Sequence, residues 1–140
     1  LGTKHLPSFS PAAPDGTSIR LPFELSDVTP GKAWLSLEVA HLEPGSEKTL
    51  RATPNLKELR RGFLTTHVFL NKVPCRTLNR HCEFVSPLGQ PQRIRIPVPA
   101  GSLKEGRNVL EFQQNPSSTD PKLFDDCEVR RIALEFDAGP

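Results

Sequence analysis

The chain has 140 residues, enough for one ordinary domain and too few for two, so its elements are expected to share one core. Eighteen Lys and Arg against sixteen Asp and Glu leave a net charge of +2, which excludes the strong basic excess of proteins that hold nucleic acid by neutralising phosphates. No apolar run approaches the roughly 18 to 20 residues needed to span a bilayer, so neither a nucleic acid nor a membrane span is expected. Leu, Ile, Val and Phe make up about 27% of the chain, above the range of disordered sequences. Fifteen Pro and nine Gly fall without collagen-like period and break the chain into short pieces joined by turns. There is no signal peptide and no initiating Met, so the sequence reads as a module cut from something larger.

Residues 1–16 hold Pro7, Pro11 and Pro14 among Ser and Ala and read as a semi-extended linker, with Leu6 and Phe9 offering the alternative of an arm packed along the domain. Residues 17–140 form the domain. Ile19, Leu21, Phe23 and Leu25 alternate with polar residues and predict a first strand. Pro22 cannot donate to a ladder, which places that strand at a sheet edge. A turn at Thr29, Pro30 and Gly31 leads to a second strand over 34–42, where Leu35, Leu37 and Val39 share one face. A turn over 44–48 follows, then one short helical turn over 55–61 with Asn55 as its N-cap. Strands over 66–70 and 73–78 read as a hairpin about Asn71 and Lys72, a turn without the favoured glycine.

The strand over 92–98 turns Ile94, Ile96 and Val98 inward and Arg93 and Arg95 outward. A turn over 101–106 leads to a strand over 108–113, whose inward face the alternation leaves open, and a polar loop over 114–121 precedes the last strand over 127–136. In that strand Ile132, Leu134 and Phe136 should face the core, with Arg130 sharing their parity. Seven or eight short strands without recurrent helices predict an all-β antiparallel sandwich or jelly roll.

Three stretches resemble the galactose-binding-like jelly roll, the scaffold of many carbohydrate-binding modules and accessory domains of glycoside hydrolases and polysaccharide lyases. They are residues 67–73, with Lys72 where the family pattern has glycine; residues 94–98 with 103–112, which carry a leucine-anchored turn and a Gly-x-Asn strand entry; and the closing strand at 124–136. The resemblance covers about residues 18–137 and concerns topology. It implies a non-catalytic carbohydrate-binding accessory module of a larger secreted or cell-envelope protein. In that reading the partners are a polysaccharide or oligosaccharide and other domains of the parent. The physical reading of the second stretch is structural: Leu103 plugs the sandwich end, Gly106 takes a positive-φ position and Asn108 bonds loop backbone.

No enzyme is expected, because the four His (His5, His41, His67, His81), three Cys (Cys75, Cys82, Cys127) and scattered carboxylates form no recognisable catalytic frame. The cysteine spacing does not match a zinc knuckle, and a bridge between Cys75 and Cys82 competes with free thiols. No cofactor is expected, apart from a structural calcium for which Glu24 and Asp137 are the candidate ligands.

A sugar site on a sandwich needs a flat ring flanked by planar hydrogen-bonding groups. The candidate ligand-binding residues are Trp34, His67, Phe69, Arg76, Arg93 and Arg95, with Arg80, Arg130 and Arg131 able to extend a basic surface suited to acidic glycans or an acidic protein. The alternative function is a structural or protein–protein interaction sandwich without a sugar site. A covered Trp34 and arginines paired with carboxylates would favour that alternative.

Overall fold

The computed structural model describes residues 1–4, 14–28, 31–46, 54–84 and 89–137. Its order is β1 (Ser18–Leu25), β2 (Ala33–Ala40), α1 (Leu56–Arg60), β3 (Thr66–Leu70), β4 (Val73–Thr77), a 3-10 turn (Leu78–His81), β5 (Gln92–Pro97), β6 (Gly106–Gln114) and β7 (Glu128–Phe136). The chain is an all-β sandwich, as the alternation predicts. One sheet has the order β1-β6-β3-β4 and the other β5-β2-β7, and every neighbouring pair is antiparallel.

The core lies between the sheets because each strand turns its aliphatic residues to one side. Leu35, Leu37 and Val39 of β2 and Ile94 and Ile96 of β5 face Val68 and Leu70 of β3 and Leu110 and Phe112 of β6. The inward face of β6, open in the sequence, is therefore the one carrying Asn108, Leu110, Phe112 and Gln114, all buried. Pro22 sits on the edge strand β1, which among the described residues has no ladder partner on its free side.

The Gly-x-Asn entry to β6 locks one end of the sandwich. Asn108, fully buried, donates to the carbonyls of Lys104 (2.7 Å) and Gly106 (2.9 Å) and accepts from the Lys104 amide (3.1 Å) and from Asn71 Nδ2 (2.8 Å). Asn71 also donates to the Ser102 carbonyl and accepts from the Val109 amide. Asn71 and Lys72 have φ of 50° and 69°, the two left-handed positions of a type I′ hairpin, so Lys72 occupies a conformation that glycine favours. Asn55 stands at the N-cap of α1, but its side chain donates to Glu43 Oε1 rather than capping the helix.

The first residues belong to the packed structure. Leu1 is buried in the core cluster and exchanges two backbone hydrogen bonds with Cys127, while Asp126 Oδ1 accepts from the Thr3 and Lys4 amides. His5, Leu6, Phe9, the turn at Thr29 and Pro30 and the end of the turn over 44–48 lie outside the described residues. All three cysteines are free, so the Cys75–Cys82 bridge does not form. Burial raises the thiol pKa of Cys75 to about 11 and of Cys82 to about 12, and pushes that of Cys127 up as well.

The last strand corrects one facing assignment. Arg131 has φ of 52°, and the β2–β7 register shifts between Ser36 and Glu38, so a bulge inserts one residue. Arg130 and Arg131 therefore both face outward, and Val129 regains the inward side with Ile132 and Leu134.

Candidate functional site

The candidate residues do not converge. Trp34, Arg93 and Arg95 stand together on the outer face of the three-stranded sheet. His67 and Phe69 stand on the outer face of the four-stranded sheet, and Arg76 lies on its edge strand β4. The sandwich core separates the two groups, so no single ligand of sugar size meets all six. Arg76 faces the 3-10 turn, where its charge and that of Arg80 add to burial in lowering the pKa of His81.

On the three-stranded sheet the arginines are paired. Register sets Arg95 opposite Ser36 and Trp34 opposite Glu135, with β2 in the middle. Arg93 and Arg95 reach across β2 to Glu135 on β7 at 3.2 and 2.8 Å, and Arg95 also meets Asp137 at 3.7 Å. This crossing needs a small residue beneath it. Ser36 is that residue: it is 1% exposed, accepts from Arg93 Nε at 3.0 Å, and its hydroxyl bond to Glu135 is the chief reason the Glu135 pKa is lowered. Further along, Glu38 takes Arg130 at 2.6 Å and Arg131 at 3.1 Å, and Arg130 also meets Glu128 at 3.0 Å. Four arginines and four carboxylates thus form a balanced lattice, the paired arrangement that favours the alternative of an interaction domain.

Trp34 is half-buried, and the Arg95 guanidinium lies 4.5 Å from its ring centroid. One face of the indole is thereby occupied by a cation–π contact inside the chain.

His67 is held by its neighbours. Thr65 Oγ1 and Asn115 Nδ2 meet its Nε2 at 2.9 and 3.1 Å, and Thr77 Oγ1 meets its Nδ1 at 3.2 Å. Burial, with the charge of Arg80, lowers its pKa and favours the neutral ring. Phe69 is half-buried beside Glu111 and Pro74 on the flanking strands.

Among the described residues no cluster of three or more His, Cys, Asp or Glu could hold a metal ion. The calcium candidates do not meet: Glu24 projects from the outer side of β1, and Asp137 pairs with Arg95 on the other sheet.

Residues missed in the sequence build a recess of about 340 Å³ at one end of the sandwich, lined by His41, Glu43, Asn55, Phe84, Gln90 and Gln92 among others. Asp125 lies beneath this end, 7% exposed, accepting from the Glu43 amide at 3.0 Å and from Asn79 Nδ2 at 3.4 Å. Burial, reinforced by the neighbouring Glu43 and Asp126 charges, pushes its pKa up to about 7. The Asn79 side chain ties the same loops together through the Glu43 carbonyl and the Thr66 amide. Composition and spacing give no signal for these groups, because their partners come from loops distant in sequence.

Comparison with family models, with curated proteins and with solved structures returns no match to this chain.

Proposed function

We propose that the chain is a non-catalytic structural or protein–protein interaction β-sandwich domain within a larger protein. The observation that carries this reading is the outer face of the three-stranded sheet, where each arginine offered for ligand binding already has a carboxylate and Trp34 lies against Arg95. A glycan binding there would have to break several ion pairs and replace Arg95 on the indole. Glycan binding at this face would thus begin from a deficit, whereas a domain that positions its neighbours needs only a stable, charge-balanced surface.

A carbohydrate-binding reading, with the galactose-binding-like jelly roll behind it, keeps one support. The recess at the sandwich end combines Phe84 with planar hydrogen-bonding side chains such as Asn55 and Gln92, the kinds of group a pyranose requires.

One screen separates the two. The domain is titrated with neutral and acidic oligosaccharides, followed by Trp34 fluorescence and by calorimetry, beside an Asn55→Ala variant. The interaction reading expects no saturable binding. Saturable binding lost in Asn55→Ala would replace it with the carbohydrate reading at the sandwich end.

A further inference from the structure

The arginines on the far side of the sandwich from β7 are not part of the lattice. Arg76 on the edge strand β4 and Arg80 in the 3-10 turn are exposed, and among the described residues neither forms an ion pair. The backbone that carries them is firmly held. Leu78 and Asn79 anchor the turn in the interior, at 0% and 1% exposure. The Asn79 side chain accepts from the Thr66 amide at 2.8 Å, and its carbonyl accepts from the Gly45 and Cys82 amides at 2.8 and 3.2 Å. Strand β4 is fixed by its ladder to β3, with Arg76 opposite Val68 and Thr77 opposite His67. The two guanidinium charges converge on two imidazoles. Burial and then Arg76 and Arg80 lower the pKa of His81, and burial and then Arg80 lower that of His67. No carboxylate acts on either ring, Glu83 two residues beyond His81 included.

We propose that Arg76, Arg80 and His81 form a docking site for an acidic segment of a partner polypeptide, which they hold through its carboxylates. The inference rests on the interaction reading above. Charge complementarity selects the partner. An anion that meets Arg76 or Arg80 displaces only water, whereas one that meets Arg93 or Arg95 must first separate them from Glu135. A carboxylate also matches the two-pronged face of a guanidinium. The shape of the site selects a polypeptide. Arg76, Arg80 and His81 line none of the chain's larger cavities, so a small free anion would remain open to water on most sides. A polypeptide instead brings contacts of its own to the exposed edge of β4, where Val73 is 38% exposed. Two guanidiniums on a chain of net charge +2 fall well short of the roughly 6–10 phosphate contacts that hold a nucleic acid.

The histidines give the site a pH response of fixed sign. The charged groups that act on His81 are Arg76 and Arg80, and on His67 Arg80 alone; the side chains bonded to the His67 ring, Thr65, Asn115 and Thr77, are neutral. A carboxylate placed among the arginines offsets their repulsion and favours the imidazolium, so binding raises the His81 pKa. By reciprocity the affinity rises as the pH falls through the range in which His81 takes up its proton.

The test uses a soluble eight-residue peptide of glycine and glutamate, the same peptide with glutamine for glutamate, a sulfated tetrasaccharide and a single-stranded oligonucleotide. Binding at low salt is followed by calorimetry and by the NMR titration of the histidine rings. The chain is compared with Arg76→Ala plus Arg80→Ala and with Lys104→Ala, which removes an exposed charge from the turn before β6. Circular dichroism checks that each variant is folded. The glutamate peptide should bind, weaken with added salt, raise the His81 pKa and bind more tightly at pH 6 than at pH 8. The glutamine peptide should not bind. The double variant should lose at least tenfold in affinity, and Lys104→Ala less than twofold. Four results would overturn the proposal: no binding at millimolar glutamate peptide, equal losses in the two variants, a His81 ring that does not respond, or tighter binding of the sulfated sugar or the oligonucleotide than of the peptide. If the peptide and the neutral and acidic glycans all fail to bind, the docking site falls and the interaction reading stands, whereas saturable glycan binding lost in Asn55→Ala removes the interaction reading itself.

Discussion

Replacing Asp125 with asparagine tests the energetics of the sandwich end. The Asp125 carboxyl is 7% exposed, and its pKa is pushed from 3.8 up to about 7, chiefly by burial. The folded state therefore binds a proton more tightly than the unfolded chain. Between about pH 4 and pH 7 the unfolded chain ionises while the folded one must hold its proton, so this group's contribution to stability falls as pH rises and levels off above pH 7. A difference of about three units at ~1.4 kcal/mol each sets a ceiling of about 4 kcal/mol. In Asp125→Asn the amide keeps a carbonyl oxygen for the Glu43 amide and Asn79 Nδ2 but carries no charge at any pH. Urea denaturation of both proteins at pH 4.5, 6, 7 and 8 gives the comparison, because the other titrations cancel in the difference. The stability of Asp125→Asn relative to the wild type should rise by about 2 to 3 kcal/mol between pH 4.5 and pH 8. A difference that stays flat, or in which the wild type gains on the variant as pH rises, refutes a buried carboxyl with a raised pKa.

The remaining predictions concern the hairpin, the Asn hub and the sheet face. Lys72→Gly relieves a left-handed residue in the β3–β4 turn and should stabilise by up to about 1 kcal/mol, seen as a rise of about 2–4 °C in Tm by calorimetry. Asn108→Ala strips buried partners from Lys104, Gly106 and Asn71 and should cost about 3 kcal/mol or more in urea denaturation. Arg95→Ala uncovers one face of Trp34 and should shift its emission to the red. The accompanying stability change should be under about 1 kcal/mol, because the guanidinium is half-exposed.

Most of the strands were legible because they are short and alternate cleanly; the inward face of β6 was the exception. Leu35, Leu37 and Val39, or Ile94 and Ile96, declare an inward face without any knowledge of their partners. The β3–β4 hairpin was legible through Asn71 despite the missing glycine, since asparagine tolerates the left-handed region. The bulge was not legible, for Arg130 keeps the parity of Ile132 in sequence and only the register with β2 turns it outward. The pairing of the outward arginines was not legible for a related reason. Alternation says that Arg93 and Arg95 point out, but Glu135 lies some forty residues away and becomes their neighbour only when β5 and β7 flank β2. An outward arginine in a sequence is a charge; whether it is available to a ligand depends on strand order.

That strand order also assigns the lattice its role. Half-exposed ion pairs contribute little each, at most about 1 kcal/mol, so four arginines on one face are a poor explanation of stability. They are a better explanation of register. Glu135 can meet Arg93 and Arg95 together only if β5 and β7 hold their offsets to β2, and Glu38 can meet Arg130 and Arg131 together only with the bulge in place. A slip of one residue would carry the charged side chains into the core and the aliphatic ones out. Ser36 makes the crossing feasible because a larger side chain at that position would stand between Arg93 and Glu135. Ser36→Leu should therefore loosen both outer strands, with faster amide exchange in β5 and β7 than in β3 and β6. Equal acceleration in all four strands would mean that the lattice is incidental to the register of the sheet.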